Sequence, residues 1–223
     1  MSSWAAALRT SVVGGKGSVG EGFRQARWSL FRSTFPSVEQ MSVIDLGGRA
    51  DTWLRAPVRP RHVHLVNLET VLVDLPDWMS AEQGDACEMS ESIGTDGYDL
   101  VFSNSVIEHV GGHQMRLKFA RSVRRLAPRS WIQTPNRYFP IEPHFLGPGF
   151  QFLPVPVRSE IVSRWPLVHT PSRDRRDSLT AVLSTELLGV AELRYYFPES
   201  HILREKAGGW TKSLISVVAA ESS

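Results

Sequence analysis

Short runs of apolar residues recur along the first two thirds of the chain and predict buried β-strands. These runs cover residues 41–46, 63–68, 98–102 and 131–133, with a further edge segment at 70–75. Most contain β-branched residues and stop at glycine, proline or polar residues, which is typical of strands inside a sheet. Residues 22–31 and 112–126 have helical spacing instead. Strands that alternate with helices predict an open, mostly parallel twisted sheet with helices on both faces.

The last third of the chain departs from this alternation. The segment from Tyr138 to Pro156 contains five prolines, which exclude a regular helix or a central strand. Beyond it, residues 178–188 have the composition of a helix, and 193–197 and 214–219 have that of strands. We expect these two late strands to form an antiparallel pair at one edge of the sheet, so the predicted fold is α/β and Rossmann-like.

The length of the chain favours one domain. Its 223 residues are too few for two domains of ordinary size, and we expect residues 23–223 to form a single one. Residues 1–22, which contain many small residues, are interpreted as a mobile N-terminal arm. Residues 137–176 are interpreted as a loop beside the ligand-binding edge, because long irregular stretches in compact domains are usually functional.

Composition excludes several classes of partner. The net charge is only +2, so no broad basic face predicts binding to nucleic acid. Cys87 is the single cysteine, which excludes an intrachain disulfide and fits the reducing cytoplasm. No apolar run reaches the roughly 20 residues that a membrane-spanning helix needs. Aromatic residues near both ends of the chain are compatible with a homodimer interface.

Glycines and polar residues follow the predicted strands at one edge of the sheet. Open parallel sheets bind ligands at the carboxyl ends of their strands, near the point where the strand order switches. Gly47 and Gly48, after the first strand, let the backbone approach a ligand closely. Oxygen acceptors at this edge can bond the hydroxyls of a ribose or the amino group of an adenine. These acceptors are Asp45, Asn67, Glu69, Asp85 and Asn104.

The order of these segments resembles that of the class I S-adenosylmethionine-dependent methyltransferases. Residues 98–110 (YDLVFSNSVIEHV) are the most specific match, and the resemblance covers about residues 40–136. It implies S-adenosylmethionine as the cofactor. It also implies that Gly47 and Gly48 line the methionine end of that cofactor and that Asp45 supports their loop.

The resemblance implies further cofactor contacts at the ends of the other strands. These are Asn67 or Glu69 for the ribose, Asp85 with Ala86 for the adenine, and Asn104, Ser105 and Val106 for the opposite wall. The chain departs from the family at Arg49 and Asp51, where the loop usually has further glycines. It also departs at Asn67, where an aspartate is usual, so the residue that holds the ribose stays open between Asn67 and Glu69.

The nature of the acceptor is indicated by histidines and carboxylates near the same edge. Methyl transfer to an alcohol gains from a base that removes the hydroxyl proton. We predict His144, Glu142 and His109 as catalytic residues, because prolines around the first two hold the backbone rigid. The segment also resembles small bacterial sugar O-methyltransferases of the methylmannose polysaccharide type. The resemblance implies a small-molecule or oligosaccharide acceptor, most favourably a mannoside-like sugar.

Three alternatives stay open at this stage. The acceptor could be a quinone or another phenolic small molecule, since ubiquinone-pathway O-methyltransferases look similar around the fourth motif. Those enzymes hold a divalent metal with Glu-x-x-Glu-His; here Ser105 replaces the first glutamate, and Glu108 with His109 remain as candidate ligands for a magnesium ion. Arg49 and Asp51 favour a third interpretation, a cofactor-binding scaffold that has lost catalysis.

Overall fold

A computed structural model describes residues 19–69, 74–90, 93, 97–164 and 174–219 of the chain. Its helices are α1 (Val19–Thr34), α2 (Ala50–Leu54), α3 (His113–Leu126), α4 (Val155–Arg164), α5 (Arg175–Leu183) and α6 (Val190–Tyr196). Its strands are β1 (Ser42–Leu46), β2 (His62–Asn67), β3 (Met79–Gln83), β4 (Leu100–Asn104), β5 (Ser130–Pro135), β6 (Ile141–Glu142), β7 (Gly147–Pro148), β8 (His201–Ala207) and β9 (Trp210–Val218). Single 3-10 turns cover Val38–Gln40 and Phe150–Phe152.

Seven of the described strands form one sheet, in the order β3-β2-β1-β4-β5-β9-β8. The first five strands in this order are parallel to one another, whereas β9 is antiparallel to both β5 and β8. The predicted α/β fold with a late antiparallel pair is confirmed. Strand order reverses between β1 and β4, so the ligand-binding edge is expected at their carboxyl ends.

Each strand of the sheet contributes side chains to two apolar layers. In β1, Ile44 and Leu46 pack on the face covered by α3 and α6, and Val43 packs on the face covered by α1 and α2. Successive side chains of a strand point to opposite faces, and both faces here are covered. A continuous apolar run therefore forms a strand rather than an amphipathic helix.

Helix α1 is fixed on the sheet by aromatic contacts. Phe31 is fully buried and meets the Trp131 ring edge-on, with a centroid separation of 5.2 Å. Trp28, one helical turn earlier, is stacked on Phe102 at 5.7 Å. These contacts hold the carboxyl-terminal half of α1 against β4 and β5. The helix begins at Val19, so residues 19–22 of the predicted mobile arm are helical, and residues 1–18 lie outside the described range.

The predicted strand at 193–197 is wrong, because these residues lie in or directly after helix α6. The Glu192 carboxylate accepts a hydrogen bond from the Gly189 N–H at 2.8 Å and so caps the start of the helix. Leu193 and Tyr196 are buried at helical spacing. The partner of β9 is instead β8, where Ile202 pairs with Ser216.

Other element boundaries also differ from the sequence-based prediction. The edge strand is β3 at 79–83; residues 74 and 75 of the predicted segment are irregular, and 70–73 lie outside the described residues. Helix α5 begins earlier than predicted because the Asp174 side chain accepts from the N–H groups of Arg176 and Asp177. The predicted loop 137–176 contains the β6–β7 hairpin and α4. Within the described ranges, no helix has the length and apolar character needed to span a membrane.

Candidate functional site

Neighbouring strands bring the predicted site residues to one edge of the sheet. The Gly47 N–H donates to the Val66 carbonyl at 2.7 Å, which joins the end of β1 to that of β2. The Gly84 N–H donates to the Asn67 carbonyl at 2.9 Å and joins β3 to the same edge. On the other side of β1, β4 is paired parallel to it with Phe102 opposite Asp45, and beyond the end of β4 the Ser105 N–H donates to the Gln133 carbonyl of β5 at 2.9 Å. The segments that follow β3, β2, β1 and β4 therefore form one continuous rim.

The turn after β1 has room only for glycine at two positions. Gly47 has φ +78°, and a Cβ atom placed there would lie 2.4 Å from a methyl carbon of Val106. A Cβ atom at Gly48 would lie 2.5 Å from the Asp45 carboxyl group. The turn thus packs directly against the segment after β4 and against Asp45. Because neither glycine has a side chain, the backbone of the turn stays accessible to a ligand.

Asp45 lies beneath this turn rather than on its surface. Its side chain is buried, and one carboxylate oxygen accepts a hydrogen bond from the Trp53 indole N–H at 2.8 Å. Burial raises the pKa of Asp45 to about 7, against the smaller opposing effect of the Trp53 hydrogen bond. Asp45 therefore lies against the glycine turn, and Trp53 is a partner that the sequence did not indicate.

Asn67 and Glu69 have different surroundings at the end of β2. The Asn67 amide donates to the Gly48 carbonyl at 3.0 Å, and its oxygen accepts from the Glu69 N–H at 3.2 Å. Both ends of the Asn67 side chain therefore hold backbone in place. Glu69 is exposed. It lies beyond the end of β2, whose last residue is Asn67.

The turn after β3 holds Asp85 at the rim. One Asp85 carboxylate oxygen accepts from the Cys87 N–H at 2.8 Å, and the Asp85 carbonyl accepts from the Glu88 N–H. These bonds fix the backbone, while Asp85 stays partly exposed and Ala86 is buried beside it. Asp85 thus lies at the opposite end of the rim from the segment that follows β4.

The segment after β4 has a strained backbone. Ser105 has φ 59°, a left-handed conformation that is uncommon for residues other than glycine. It is held by two bonds to Gln133, since its hydroxyl also donates to the Gln133 side-chain oxygen at 2.9 Å. Such conformations cost about 1–3 kcal/mol and concentrate at ligand sites. Asn104, just before it, accepts from the Arg27 guanidinium at 2.7 Å, a contact that the sequence analysis missed.

A cluster of Glu108, His109 and His144 lies next to this segment. One donor atom from each of the three residues lies within 4.8 Å of the other two. Glu108 is buried; one of its oxygens accepts from the Thr134 hydroxyl at 2.9 Å, and the other has no hydrogen-bond partner among the residues that the structure describes. Burial raises the pKa of Glu108 to about 7. The buried unpartnered oxygen is costly unless something positive contacts it.

Hydrogen bonds fix the orientation of both imidazole rings in this cluster. The Ser184 carbonyl lies 3.0 Å from His109 Nδ1, and since a carbonyl can only accept, Nδ1 carries the proton. His144 Nδ1 donates to the Glu142 carboxylate at 2.7 Å, and the second Glu142 oxygen accepts from the Phe145 N–H at 2.6 Å. Burial is also the main cause that lowers the pKa of His109.

The remaining ring nitrogens, His109 Nε2 and His144 Nε2, face each other at 3.2 Å. With both Nδ1 atoms protonated, two neutral rings would place lone pairs against each other. A proton or a cation between them removes this conflict. Ligands about 2.0–2.1 Å from one ion are separated by about 3.0–3.4 Å, so the observed spacing fits a shared divalent cation. The rings are also oriented by a carbonyl and a carboxylate, as is usual for metal-binding histidines.

A cavity of about 310 Å³ lies beside Glu142. Phe145, Phe150 and Leu187 supply its apolar lining, and Arg137, Glu142, Gln151, Arg158, Thr185 and Glu186 supply its polar lining. Arg137 is held by the Glu192 carboxylate and by the Leu187 carbonyl. The Gln151 amide donates to two backbone carbonyls, which leaves its oxygen buried without a partner. A polar cavity with aromatic walls suits a small polar organic ligand.

The structure brings together residues to which the sequence assigns different roles. Glu108 and His109 are the candidate metal ligands that the sequence leaves open, and His109 and His144 are predicted catalytic residues; donor atoms of all three lie within 4.8 Å of one another. The sequence analysis missed Thr134 and Ser184, which orient members of the cluster. Neither residue carries a local signal, because each reaches the cluster only through the fold.

Comparison with known proteins supports the architecture. No family model matches the sequence, and no curated protein matches it either. The methyltransferase domain of bacterial CtHen1-CN is 14% identical with a TM-score of 0.52, covering 88% of this chain and 99% of that one. An S-adenosylmethionine-dependent methyltransferase from Mesorhizobium loti is 15% identical with a TM-score of 0.53, covering 86% of this chain and 96% of that one.

A third similar structure contains the cofactor. It is phosphoethanolamine N-methyltransferase 2 from Haemonchus contortus in complex with S-adenosylmethionine; it is 13% identical with a TM-score of 0.50, and the match covers 90% of this chain and 42% of that one. Identities this low carry information about the fold alone. The chain has the fold of the class I S-adenosylmethionine-dependent methyltransferases.

Proposed function

We propose that this protein is an S-adenosylmethionine-dependent O-methyltransferase that acts on a hydroxyl group of a small polar acceptor, most favourably a sugar or an oligosaccharide. The observation that carries the proposal is the continuous rim formed by the segments after β3, β2, β1 and β4, with the Glu108–His109–His144 cluster directly beside it. A cofactor on the rim and an acceptor held near the cluster would bring the two reactants together.

The rim provides a separate contact for each part of the cofactor. Asp85, with Ala86 beside it, would accept from the adenine amino group. Glu69 would hold the ribose hydroxyls, because the Asn67 side chain is already engaged in holding the Gly48 turn. The backbone of Gly47 and Gly48 would contact the methionine part, and Asn104, Ser105 and Val106 would form the opposite wall.

The reaction needs positioning more than covalent chemistry. The acceptor oxygen attacks the methyl carbon as the bond from that carbon to sulfur breaks, and the sulfonium becomes a neutral thioether. The hydroxyl loses its proton as the new bond forms. A rigid site contributes by keeping oxygen, carbon and sulfur in line. The strained Ser105 backbone and the closely packed Gly47 turn supply that rigidity on the cofactor side.

We further propose that Glu108, His109 and His144 bind a divalent cation. Two imidazole nitrogens with one carboxylate favour a transition ion such as Mn²⁺, Co²⁺ or Zn²⁺ over the Mg²⁺ that the sequence leaves as an open alternative, because Mg²⁺ prefers oxygen ligands. A bound cation supplies Lewis acidity that lowers the pKa of a hydroxyl in contact with it. Glu142, Ser184 and Thr134 orient the three ligands through the hydrogen bonds described above.

The cavity next to Glu142 supports a polar acceptor. Its polar lining and aromatic walls suit a sugar, which presents hydroxyls at its edges and C–H groups on its faces. A quinone or phenol would leave most of that lining without partners and is the less favoured acceptor. The proteins of similar fold act on varied acceptors, so the acceptor is assigned from the cavity and not from them.

Binding of S-adenosylhomocysteine, measured by calorimetry, tests the cofactor proposal. We expect binding by the wild type and weaker binding by Asp85→Ala, because the adenine loses an acceptor. Asp77→Ala is the matched control, since Asp77 is exposed just before β3, at the other end of that strand. Absence of binding at millimolar ligand would refute the cofactor role of the rim. Binding without methyl transfer to any sugar, phenol or quinone would favour the inactive scaffold.

Chelation tests the cation proposal. Transfer of a labelled methyl group to oligosaccharides should fall sharply in EDTA and return with Mn²⁺, Co²⁺ or Zn²⁺, and His144→Ala should lower turnover while S-adenosylhomocysteine binding is retained. His201→Ala, at an exposed position of β8, is the control. If EDTA does not change the turnover of the wild type but His144→Ala loses turnover, His144 Nε2 is instead identified as the base, with Glu142 holding Nδ1.

A further inference from the structure

A cluster of cations lies at the β4 end of the rim. Arg27 of α1 donates to Asn104 at 2.7 Å and forms a two-point ion pair with Glu205 of β8, the shorter contact being 2.9 Å. Lys212 of β9 and Arg24 of α1 are near enough to the same groups for their charges to interact. Among the described residues, Glu205 supplies the negative charge that acts on Lys212, and Arg27 and Arg24 supply positive charges.

Lys212 is the member of this cluster that lacks an anionic partner. Its ammonium lies 3.8 Å from the centre of the Phe23 ring, and among the described residues it has no ion pair and no hydrogen bond. Burial lowers the pKa of Lys212, and the charges of Arg27 and Arg24 lower it further, while Glu205 raises it. A partly buried ammonium that also experiences the charges of nearby cations is destabilised unless an anion joins it.

The order of the strands predicts which part of the cofactor reaches this cluster. This step rests on the proposed function. From Asp85 after β3 to Asn104 at the end of β4, the rim crosses three inter-strand spacings of about 4.8 Å, or about 14 Å in all. With adenine at β3 and ribose at β2, the methionine part extends past the Gly47 turn toward β4. Its far end carries a carboxylate, which would arrive next to Asn104 and Arg27.

We propose that Lys212 and Arg27 bind the α-carboxylate of the cofactor, so that α1 and the β8–β9 hairpin form the end wall of the cofactor site. Asn104 and Glu205 hold the Arg27 guanidinium in place and leave N–H groups on its two terminal nitrogens for the incoming carboxylate. Lys212 supplies the second cation. An anionic group on the acceptor has the same chemistry and is the competing source, which the experiment distinguishes.

The test compares two ligands that differ only by the amino-acid group. S-adenosylhomocysteine carries the carboxylate, whereas 5′-methylthioadenosine has the same adenosyl thioether without it. Calorimetry on Lys212→Met should show about a 10- to 100-fold loss of affinity for S-adenosylhomocysteine, as for a hydrogen bond between charged groups. Affinity for 5′-methylthioadenosine should be unchanged. Lys212→Arg should retain most of the affinity, and Lys206→Met, on the same hairpin but exposed, should behave as wild type.

Each other result has a defined meaning. Wild-type protein that binds neither ligand would refute the proposed function itself. Binding of both ligands with equal losses in Lys212→Met, or with none, would overturn the carboxylate site while leaving the cofactor rim intact. Unchanged S-adenosylhomocysteine affinity with a raised KM for the acceptor would assign the cations to the acceptor and also overturn it. Thermal unfolding of each variant checks that the fold is retained.

Discussion

Replacing Gly47 by alanine tests the contact that joins the ends of β1 and β4. The substitution adds one methyl group at a position with φ +78°, 2.4 Å from a methyl carbon of Val106. Two costs follow. An L-residue in the left-handed region costs about 1–2 kcal/mol, and forcing a methyl group into a packed site costs about 1–3 kcal/mol. Gly47→Ala should therefore lower the free energy of unfolding by about 2–5 kcal/mol.

Two control glycines separate these costs. Gly97 also has positive φ, at +62°, but has open space where a Cβ would lie, so Gly97→Ala carries the backbone cost alone. Gly112 has neither feature; it is the N-cap of α3, where alanine is less favourable than glycine, so Gly112→Ala should cost under about 1 kcal/mol. Urea unfolding of the three variants should rank Gly47→Ala as the most destabilised, then Gly97→Ala, then Gly112→Ala.

A double-mutant cycle identifies the contact itself. Val106→Ala removes the methyl groups that meet the new side chain, so Gly47→Ala combined with Val106→Ala should lose about 1–3 kcal/mol less than the sum of the single losses. Gly47→Ala should also weaken S-adenosylhomocysteine binding, and adding Val106→Ala should restore part of that affinity. Additive losses, or equal losses in Gly47→Ala and Gly97→Ala, would mean that the β1 turn does not pack against Val106 and would refute this description of the rim.

Two further predictions concern buried charges. Because the pKa of Asp45 is about 7 in the folded state and near 3.8 otherwise, the folded chain binds its proton more tightly between pH 4 and 7. As the pH rises from 4 to 7, the free energy of unfolding of the wild type should therefore fall by up to about 4 kcal/mol relative to that of Asp45→Asn. If urea unfolding gives the wild type and Asp45→Asn parallel pH profiles, this prediction is contradicted. Glu186→Gln should cost about 1–3 kcal/mol, because Glu186 is paired with the fully buried Arg116. Glu39→Gln, which breaks an exposed pair, should cost under about 1 kcal/mol; equal unfolding midpoints in the two variants would show that burial of Arg116 does not matter.

The prediction of one late strand failed for a physical reason. Residues 193–197 are rich in aromatic residues, a composition that fits a strand. A helix forms instead because Glu192 caps the Gly189 N–H and because Leu193 and Tyr196 bury the same helical face against the sheet. A window of five residues does not distinguish the two periods when the deciding contacts lie elsewhere.

The candidate site was predictable where it depends on the strands. Gly47 directly follows β1, Asn104 is the last residue of β4 and Asp85 comes two residues after β3, and parallel strands in one sheet end at a common edge. Their grouping could therefore be expected before the fold was known. The sequence could not show whether Asn67 or Glu69 is available to hold the ribose, because that depends on the Asn67 amide donating to the Gly48 carbonyl on the neighbouring strand's turn.

The sequence by itself determined the sheet of alternating strands and helices, since continuous apolar runs and glycine turns are local properties of the chain. It also determined that glycines and side chains with hydrogen-bond-accepting oxygens follow those strands. Only the tertiary structure decided that His144 meets His109, which lies 35 residues earlier, and that Arg27 reaches Asn104, 77 residues later. Such contacts arise from how α1 and the proline-rich segment pack on the sheet, and packing between distant segments leaves no periodic pattern in either one.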